Sequence, residues 1–261
     1  MTSGKKARKQ RRTPPPPPPV RSTGGRRASP KVLAAGAAVI ALAAVAAALA
    51  FALTGGSSSS PSPTTSAGTL PDSGSAVRMF KGIPQHGNVL GKPSAPVTMI
   101  EYIDLQCPLC QRFETEIMPT IVPRFVRTGK VKVIARPIAF IGPDSQTGRE
   151  AALAAGRQNR FFDFAQILYD NQGSENSGWL DPQFIHAAYA SIPGLDAAAA
   201  EKARTESTIL DQGDQFESQA TADKVTGTPT ILVGKTGGKL TEVSSPDVSA
   251  LSSAITSALK S

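Results

Sequence analysis

The sequence predicts an α/β domain that is preceded by a disordered tail and one transmembrane helix. Three observations support this fold class. Residues 32–53 form an uncharged apolar run, residues 54–78 are rich in Gly, Ser, Pro and Thr, and residues 79–261 alternate between strand-like and helix-like patterns. The last segment is long enough for a single domain with a hydrophobic core.

The positive charge of the chain is concentrated in its first 31 residues. The chain contains 28 Lys and Arg against 20 Asp and Glu, and ten of the basic residues but none of the acidic ones lie in 1–31. The remainder therefore has 18 basic and 20 acidic residues, a net charge of −2. Because no overall excess of cations remains to neutralise phosphates, the composition disfavours nucleic acid as a partner. Six consecutive prolines at 14–19 predict a stiff polyproline II spacer in the tail, or a ligand for a proline-binding domain.

The apolar run at 32–53 is predicted to be an uncleaved membrane anchor. As a helix, its 22 residues reach about 33 Å, enough to cross a hydrocarbon core of about 30 Å. The alternative is a cleaved signal peptide, including a twin-arginine signal at Arg26 and Arg27, but the long run and long basic leader favour the anchor. The positive-inside bias places the tail in the cytoplasm and the rest outside it. We therefore expect a single-pass protein of the cell membrane, with residues 54–78 as a flexible linker.

The domain is predicted to begin with a strand, a helix and a second strand. Val97–Ile103 is rich in β-branched and aromatic residues, which is typical of a buried strand. Apolar residues at every fourth position from 113 to 125 predict a helical face, and Pro119 and Pro123 within it predict a kink or a break. The pattern of residues 131–139 predicts the second strand.

A helical block and a return to strands follow. The predicted helices cover 150–158, 161–171, a segment starting at Asp181–Pro182, and 205–224; the late strands cover 230–233 and 240–243, and a final helix covers 246–259. This order predicts two β layers flanked by helices, with a helical insertion, which is an α/β arrangement.

The two cysteines lie three positions apart at the predicted junction of a strand and a helix. Unpaired N–H groups at a helix start favour the anionic form of a nearby thiol, so Cys107 is predicted to be the reactive thiolate. Cys110, one turn further on, can resolve a mixed disulfide on Cys107. One alternative is a zinc site, which needs ligands beyond the distant His86 and His186. The other is a structural disulfide, although so short a loop makes it a poor staple.

The stretch IEYIDLQCPLCQRFE, followed after the helical block by VTGTPTILV, resembles thioredoxin-fold proteins of the DsbA type. More narrowly, it is similar to the membrane-tethered branch found outside the cytoplasmic membrane. The similarity covers about residues 82–235 and extends to the C-terminal helix. It implies a DsbA-like thioredoxin domain over 79–261, with an inserted helical subdomain at about 145–224.

The resemblance also implies roles for residues near the cysteines. It implies that the Thr228–Pro229 bond is cis rather than an ordinary trans turn, that Pro229 belongs to the catalytic centre, and that Thr228 holds substrate backbone. Pro108 and Leu109 then belong to the substrate-binding surface. Glu101 corresponds to a buried carboxylate that relays a proton to Cys110; the alternative is a solvent-facing residue on the strand. Asp104 is predicted to be structural.

Leu109 departs from the best-known oxidising members, which have histidine at its position. Leucine supplies neither a charge nor a side-chain donor to the thiolate, so we expect the pKa of Cys107 to lie between the thioredoxin value of about 7 and the DsbA value of about 3.5. The net direction of disulfide exchange therefore stays open at this point.

The function implied by the resemblance is that of an extracytoplasmic thiol:disulfide oxidoreductase. It would form or exchange disulfides in exported proteins through the Cys107–Cys110 redox pair, with no cofactor and no metal. Its expected partners are exported client proteins that contain cysteine and a quinone-linked membrane oxidase, and a monomer is expected. The alternatives are a non-catalytic thioredoxin-fold module that binds peptides and a reductase of extracytoplasmic assembly intermediates.

Overall fold

A computed structural model describes residues 69–261. The predicted tail at 1–31, the predicted membrane span at 32–53 and the linker as far as residue 68 lie outside the described residues. Within the described part of the chain, no helix combines the length and the apolar character needed to cross a membrane.

The domain is built on one six-stranded mixed sheet, in the order β1-β2-β4-β3-β5-β6. The strands are β1 Gln85–His86, β2 Val89–Leu90, β3 Val97–Ile103, β4 Val131–Pro137, β5 Thr230–Lys235 and β6 Thr241–Glu242. Only β3 and β4 are parallel to each other. The expectation of two β layers is therefore wrong, because β5 pairs along β3 and extends the same sheet.

Helices cover the sheet and fill the connection between β4 and β5. They are α1 Ser73–Phe80, α2 Pro108–Arg112, α3 Met118–Ile121, α4 Pro143–Gly156, α5 Phe161–Asp170, α6 Pro182–Ala190, α7 Ala197–Ala203, α8 Ser207–Ala222 and α9 Val248–Lys260. The helices α4 to α8 form the inserted helical subdomain that was predicted at about 145–224, and they span residues 143–222. The first predicted helix, 150–158, begins seven residues later than α4 does. The mixed α/β thioredoxin-like arrangement is thus confirmed.

The folded part begins earlier than predicted, because α1 occupies residues assigned to the flexible linker. Ala76 and Phe80 lie one turn apart on this helix and are buried. The ring of Phe80 lies 5.9 Å from that of Phe162 on α5. The Ser- and Gly-rich composition of this segment concealed the two apolar residues that attach it to the core.

The helix that follows the cysteines continues through both prolines. A π-helical turn at Phe113–Ile117 joins α2 to α3, and another at Val122–Val126 follows α3. Pro119 and Pro123 have no N–H to donate, and these wider turns absorb the lost bonds without ending the helix. Of the predicted kink or break, the break does not occur: the helix is distorted into π-helical turns, and the apolar face from 113 to 125 stays largely buried in the core.

The central strand β3 brings the cysteines to one end of the sheet. All seven of its residues are buried, with β4 on one side and β5 on the other. Because β3 and β4 are parallel, their carboxyl ends at Ile103 and Pro137 lie at the same edge. Cys107 follows β3 by four residues and starts α2 at that edge.

Candidate active site

Asp104 organises the turn between β3 and α2. It is buried, and its carboxylate accepts hydrogen bonds from the backbone N–H of Gln106 at 3.0 Å and from those of Phe140 and Ile141 at 2.9 Å each. Its own N–H points at the sulfur of Cys110, 3.5 Å away. These bonds tie the cysteine turn to the loop after β4, in agreement with the structural role predicted for Asp104.

Gln106 holds the inserted helical subdomain against the same turn. Its buried side-chain amide donates to the Ser145 hydroxyl at 2.7 Å and to the side-chain oxygen of Asn176 at 3.0 Å, and its oxygen accepts from the backbone N–H of Asn176 at 2.7 Å. Gln172 adds a bond from its side chain to the backbone oxygen of Leu105 at 3.2 Å. The nucleophile turn is therefore fixed from both the sheet and the insertion.

Cys107 has the environment of a stabilised thiolate. It is the N-cap of α2 in an extended conformation, with its sulfur 3.4 Å from the carbonyl oxygen of Thr228. A hydrogen bond from the Cys110 thiol is the main cause that lowers the pKa of Cys107 from 9.0 to about 6. Partial burial opposes this shift, while the Thr228 side chain and the N–H groups of Leu109 and Cys110 add to it.

Cys110 has the opposite character. Its side chain is fully buried, and burial is the main cause that raises its pKa well above the usual value, followed by its hydrogen bond to Cys107. Both cysteines are free thiols in this structure. The pair therefore divides into a less deeply buried, acidic sulfur and a fully buried, protonated one, which is the division that thiol–disulfide exchange requires.

The loop before β5, the strand that pairs with β3, lies against the sulfur of Cys107. The Thr228–Pro229 bond is cis, as the resemblance implied. Thr228 is largely buried under Cys107, whereas Pro108 and Leu109 project from the start of α2 into solvent. With 59% of its surface exposed, Leu109 is the most exposed large apolar residue of the described chain. The structure thus brings 228–229 together with the cysteines across more than 100 residues of sequence.

Two buried carboxyl groups lie on the elements that flank the cysteines, Glu101 on β3 and Glu114 one helical turn after Cys110. Glu101 on β3 is 1% exposed, so the solvent-facing interpretation is wrong, and burial raises its pKa from 4.5 to about 8. Burial also raises the pKa of Glu114 well above its usual value, and the charge of Glu101 raises it further. One oxygen of each carboxyl has no hydrogen-bond partner among the described residues. Tyr169 lies in the same cluster and donates its hydroxyl to the Asp104 carbonyl at 3.1 Å.

The family assignment follows from a match that covers most of this architecture. Residues 85–255, from β1 into the C-terminal helix, match the family described as Thioredoxin. The chain belongs to the thioredoxin family.

Within residues 69–261, no group of three or more His, Cys, Asp or Glu side chains is arranged to hold a metal ion.

Relatives of this chain indicate which type of thioredoxin-family protein it resembles. A probable disulfide bond formation protein D of Bacillus cereus is 28% identical over 174 residues, which is 66% of this chain and 78% of that protein. The crystal structure of oxidised BdbD from Bacillus subtilis superposes with a TM-score of 0.60 at 25% identity, covering 69% of this chain and 98% of that one. The crystal structure of Wolbachia pipientis α-DsbA1 superposes with a TM-score of 0.58 at 22% identity, and the match covers 66% of this chain and 90% of that one. The predicted resemblance to DsbA-type thiol:disulfide oxidoreductases is confirmed.

Two residues of this thioredoxin-family site were absent from the sequence prediction. Glu114 lies four positions after Cys110, one helical turn away, so its spacing was a usable signal. Gln106 carried no such signal, because its partners Ser145 and Asn176 are 39 and 70 residues away in the chain.

Proposed function

We propose that this DsbA-type oxidoreductase uses Cys107-Pro108-Leu109-Cys110 to introduce disulfides into proteins outside the cytoplasm. The observation that carries the proposal is the opposed pair of pKa shifts, which lowers the pKa of Cys107 to about 6 and raises that of Cys110. A sulfur with a low pKa leaves readily when a thiol attacks its disulfide.

The reaction starts from the Cys107–Cys110 disulfide. A client thiolate attacks the Cys107 sulfur, a client–Cys107 disulfide forms, and the bond between the two enzyme sulfurs breaks, leaving Cys110 as a thiolate that takes up a proton. A second client thiolate then attacks the client sulfur of the mixed disulfide and releases the Cys107 thiolate. The client has lost two electrons and the enzyme pair has gained them, so the products are a client disulfide and a reduced enzyme.

The lowered pKa of Cys107 supports oxidation of clients as the net direction. At neutral pH the reduced enzyme keeps Cys107 mostly as a stabilised thiolate. A stabilised reduced form makes the corresponding disulfide a better oxidant. Leu109 adds no side-chain donor, so we expect the oxidising strength to be intermediate.

Glu101 and Glu114 are proposed to handle the proton of Cys110. With a pKa raised to about 8, Glu101 is mostly protonated at neutral pH, and burial together with the charge of Glu101 raises the pKa of Glu114 as well. The Cys110 thiolate formed in the first step takes up a proton in a site closed to bulk water, and these acids are buried proton donors next to it. Glu101 is then a positioning group for the proton and does not contact the client.

The location and partners complete the proposal. Residues 32–53 anchor the chain as a single span with the N-terminus in the cytoplasm, so the domain acts outside. Its substrates are exported proteins with cysteine pairs, and a quinone-linked membrane oxidase accepts its electrons. We expect the domain to act as a monomer.

Single cysteine variants test the roles. Cys110→Ser should accumulate mixed disulfides between Cys107 and clients, because the resolving thiol is missing, whereas Cys107→Ser should form none. Non-reducing electrophoresis of full-length protein, followed by mass spectrometry of the linked peptides, reads this out. Mixed disulfides in Cys107→Ser alone would reverse the assignment of the two cysteines.

A redox equilibration with glutathione separates the oxidase from a reductase of assembly intermediates. We expect a potential less negative than the thioredoxin value of roughly −270 mV. A value at or below it would favour the reductase. An inability to exchange disulfides with any model thiol would instead favour a peptide-binding module.

A further inference from the structure

Tyr102 is a buried titratable residue that the proposed chemistry does not use. It follows Glu101 on β3, and since adjacent strand residues point to opposite faces of a sheet, it lies on the face away from that carboxyl. Its side chain is fully buried. Burial, followed by a hydrogen bond to Asp223, raises the pKa of Tyr102 to about 12, so the hydroxyl keeps its proton and acts as a donor.

The hydroxyl of Tyr102 joins three elements in a cluster, named here the Tyr102 network: Tyr102 on β3, Arg136 on β4 and Asp223 directly after α8. The hydroxyl donates to the Asp223 carboxylate at 2.6 Å and accepts from the Arg136 guanidinium. The guanidinium also lies 3.2 Å from the same carboxylate oxygen and 5.3 Å from the centre of the tyrosine ring. Each of the three groups therefore contacts the other two.

The two residues joined by the 2.6 Å bond precede the two groups that meet at the active site. Tyr102 precedes Cys107 by five residues, and Asp223 precedes Thr228 by five. Tyr102 also pairs through its backbone with Thr230, the first residue of β5. One strand residue thus binds both ends of the loop that carries the cis-proline.

Few other bonds hold this loop, residues 223–229, against the rest of the domain. Its backbone bonds run back to α8, and the Thr230 hydroxyl bonds its middle to the start of β5. In the described part of the chain, the loop forms hydrogen bonds to further elements at two places. One is Asp223, in the Tyr102 network; the other is Thr228, whose carbonyl oxygen lies 3.4 Å from the Cys107 sulfur.

We infer that Tyr102 is a positioning residue for the nucleophile: by binding Asp223, it keeps Thr228 against the reactive sulfur. The inference rests on the proposed role of Cys107. Without the hydroxyl, Asp223 keeps only its ion pair with Arg136, which is partly open to water and correspondingly weak. The loop then leaves the sulfur more often and the thiolate loses the contribution of Thr228. A less stabilised thiolate makes the disulfide a weaker oxidant.

Removal of the hydroxyl in the full-length protein tests the inference. In Tyr102→Phe we expect the pKa of Cys107 to rise, as measured by thiolate absorbance. The equilibrium constant for oxidation of glutathione by the Cys107–Cys110 disulfide should fall about threefold, which is the size of effect expected for one hydrogen bond.

Tyr189→Phe is the matched control. It removes the hydroxyl of another fully buried tyrosine, which donates to the Ala151 carbonyl at 2.9 Å inside the helical insertion. Urea denaturation should show similar losses of stability in the two variants, whereas only Tyr102→Phe should change the glutathione equilibrium. A merely structural role for Tyr102 would leave that equilibrium unchanged.

A double-mutant cycle shows whether the hydroxyl acts through Asp223. Asp223→Ala, at a partly exposed side chain, should reproduce the fall in the equilibrium constant. Its combination with Tyr102→Phe should fall no further, because each change removes the same bond. Asp223→Asn retains an oxygen acceptor for the hydroxyl and should recover most of the loss. If Tyr102→Phe did not fold, the loss in Asp223→Ala and its recovery in Asp223→Asn would decide the question.

Additive losses in the cycle, or an unchanged equilibrium constant in either single variant, would overturn the inference. Exchange by the unaltered protein keeps this test separate from the proposed function. If that protein failed to exchange disulfides with glutathione, the proposed role of Cys107 would fail whatever Tyr102 does. If exchange were equally strong with and without the hydroxyl, the proposed function would stand and only the positioning role of Tyr102 would fail.

Discussion

Leu109 is the residue whose replacement should most directly change the chemistry of Cys107. It lies exposed beside the nucleophile and supports the thiolate only through its backbone N–H. In Leu109→His, a protonated imidazole would add a charge-assisted contact to the thiolate. We expect the pKa of Cys107 to fall from about 6 toward the DsbA value of about 3.5, with a less negative potential.

Thiolate absorbance titration and a parallel glutathione equilibration measure both quantities. Leu210→His is the control, because Leu210 is a partly exposed leucine on α8 away from the site. If Leu109→His left both the pKa and the potential at their starting values, the side chain at position 109 would have no influence on the thiolate, and Cys110, Thr228 and the backbone N–H groups would stabilise it.

We expect the buried carboxyl of Glu101 to lower the stability of the folded protein and to speed proton transfer to Cys110. The unfolded chain loses this proton near pH 4.5 whereas the folded protein holds it to about pH 8, so the carboxyl makes folding less favourable as pH rises between those values. Glu101→Gln removes the titration. At pH 7 we expect it to raise the free energy of unfolding by on the order of 2 kcal/mol, with no gain below pH 4.

Urea denaturation at several pH values measures the stability change, and stopped-flow disulfide exchange measures its functional cost. The exchange rate should fall several-fold and lose its dependence on pH near 8. Glu116→Gln, an exposed acid in the π-helical turn at Phe113–Ile117, should change neither quantity. A Glu101→Gln protein with unaltered exchange kinetics would remove Glu101 from the proton pathway.

Among the elements, α4 and α8 are joined by an ion pair that also holds the loop after β4. The nearly buried Arg149 guanidinium donates to Glu217 at 2.8 Å, and the same carboxylate oxygen accepts from the Ala139 N–H at 2.7 Å. Glu217→Ala would leave a buried cation without its nearest partner. We expect a loss of about 2–3 kcal/mol in the free energy of unfolding.

The half-exposed pair of Arg157 with Glu206, at 2.9 Å, is the matched control. Glu206→Ala should cost about 0.5 kcal/mol or less, because water solvates both groups. Thermal and urea denaturation of the two variants make the comparison. Equal losses of unfolding free energy in the two variants would show that the burial of Arg149 does not strengthen its ion pair with Glu217.

Elements were predicted best where local pattern and burial agree. Both ends of β3 and the start of α5 match the structure to the residue. The helix α7 was missed, because AAAAEKA has little contrast between apolar and polar positions. The two-residue strands β1 and β2 were missed as well, since their strand character comes from pairing with each other and with β4.

At the scale of the whole molecule, the redox state should alter the pH dependence of stability. In the reduced protein the pKa of Cys107 is lowered from 9.0 to about 6, so its contribution to stability is complete above pH 9 and is lost as pH falls through 6. The oxidised protein has no thiolate. The stability of the reduced form relative to the oxidised form should therefore grow by about 1–2 kcal/mol between pH 5 and pH 7.

Urea denaturation of both redox forms at the two pH values measures this change. Comparing the forms at each pH cancels the titrations that they share. Cys107→Ser lacks the titrating group and should not show the pH-dependent gain. A constant difference between the two redox forms would mean that folding does not stabilise the Cys107 thiolate.

The sequence by itself determined the redox pair, its place at a strand–helix junction and the family. Those features depend on residues that are only a few positions apart in the chain. Within a helix or a strand, such a spacing fixes the distance between the side chains. Only the tertiary structure decided that Thr228 contacts the sulfur of Cys107 and that Glu101 and Glu114 are buried close enough for their charges to interact. Electrostatic and desolvation energies depend on separation in space and on burial, and neither can be read from positions far apart in the chain.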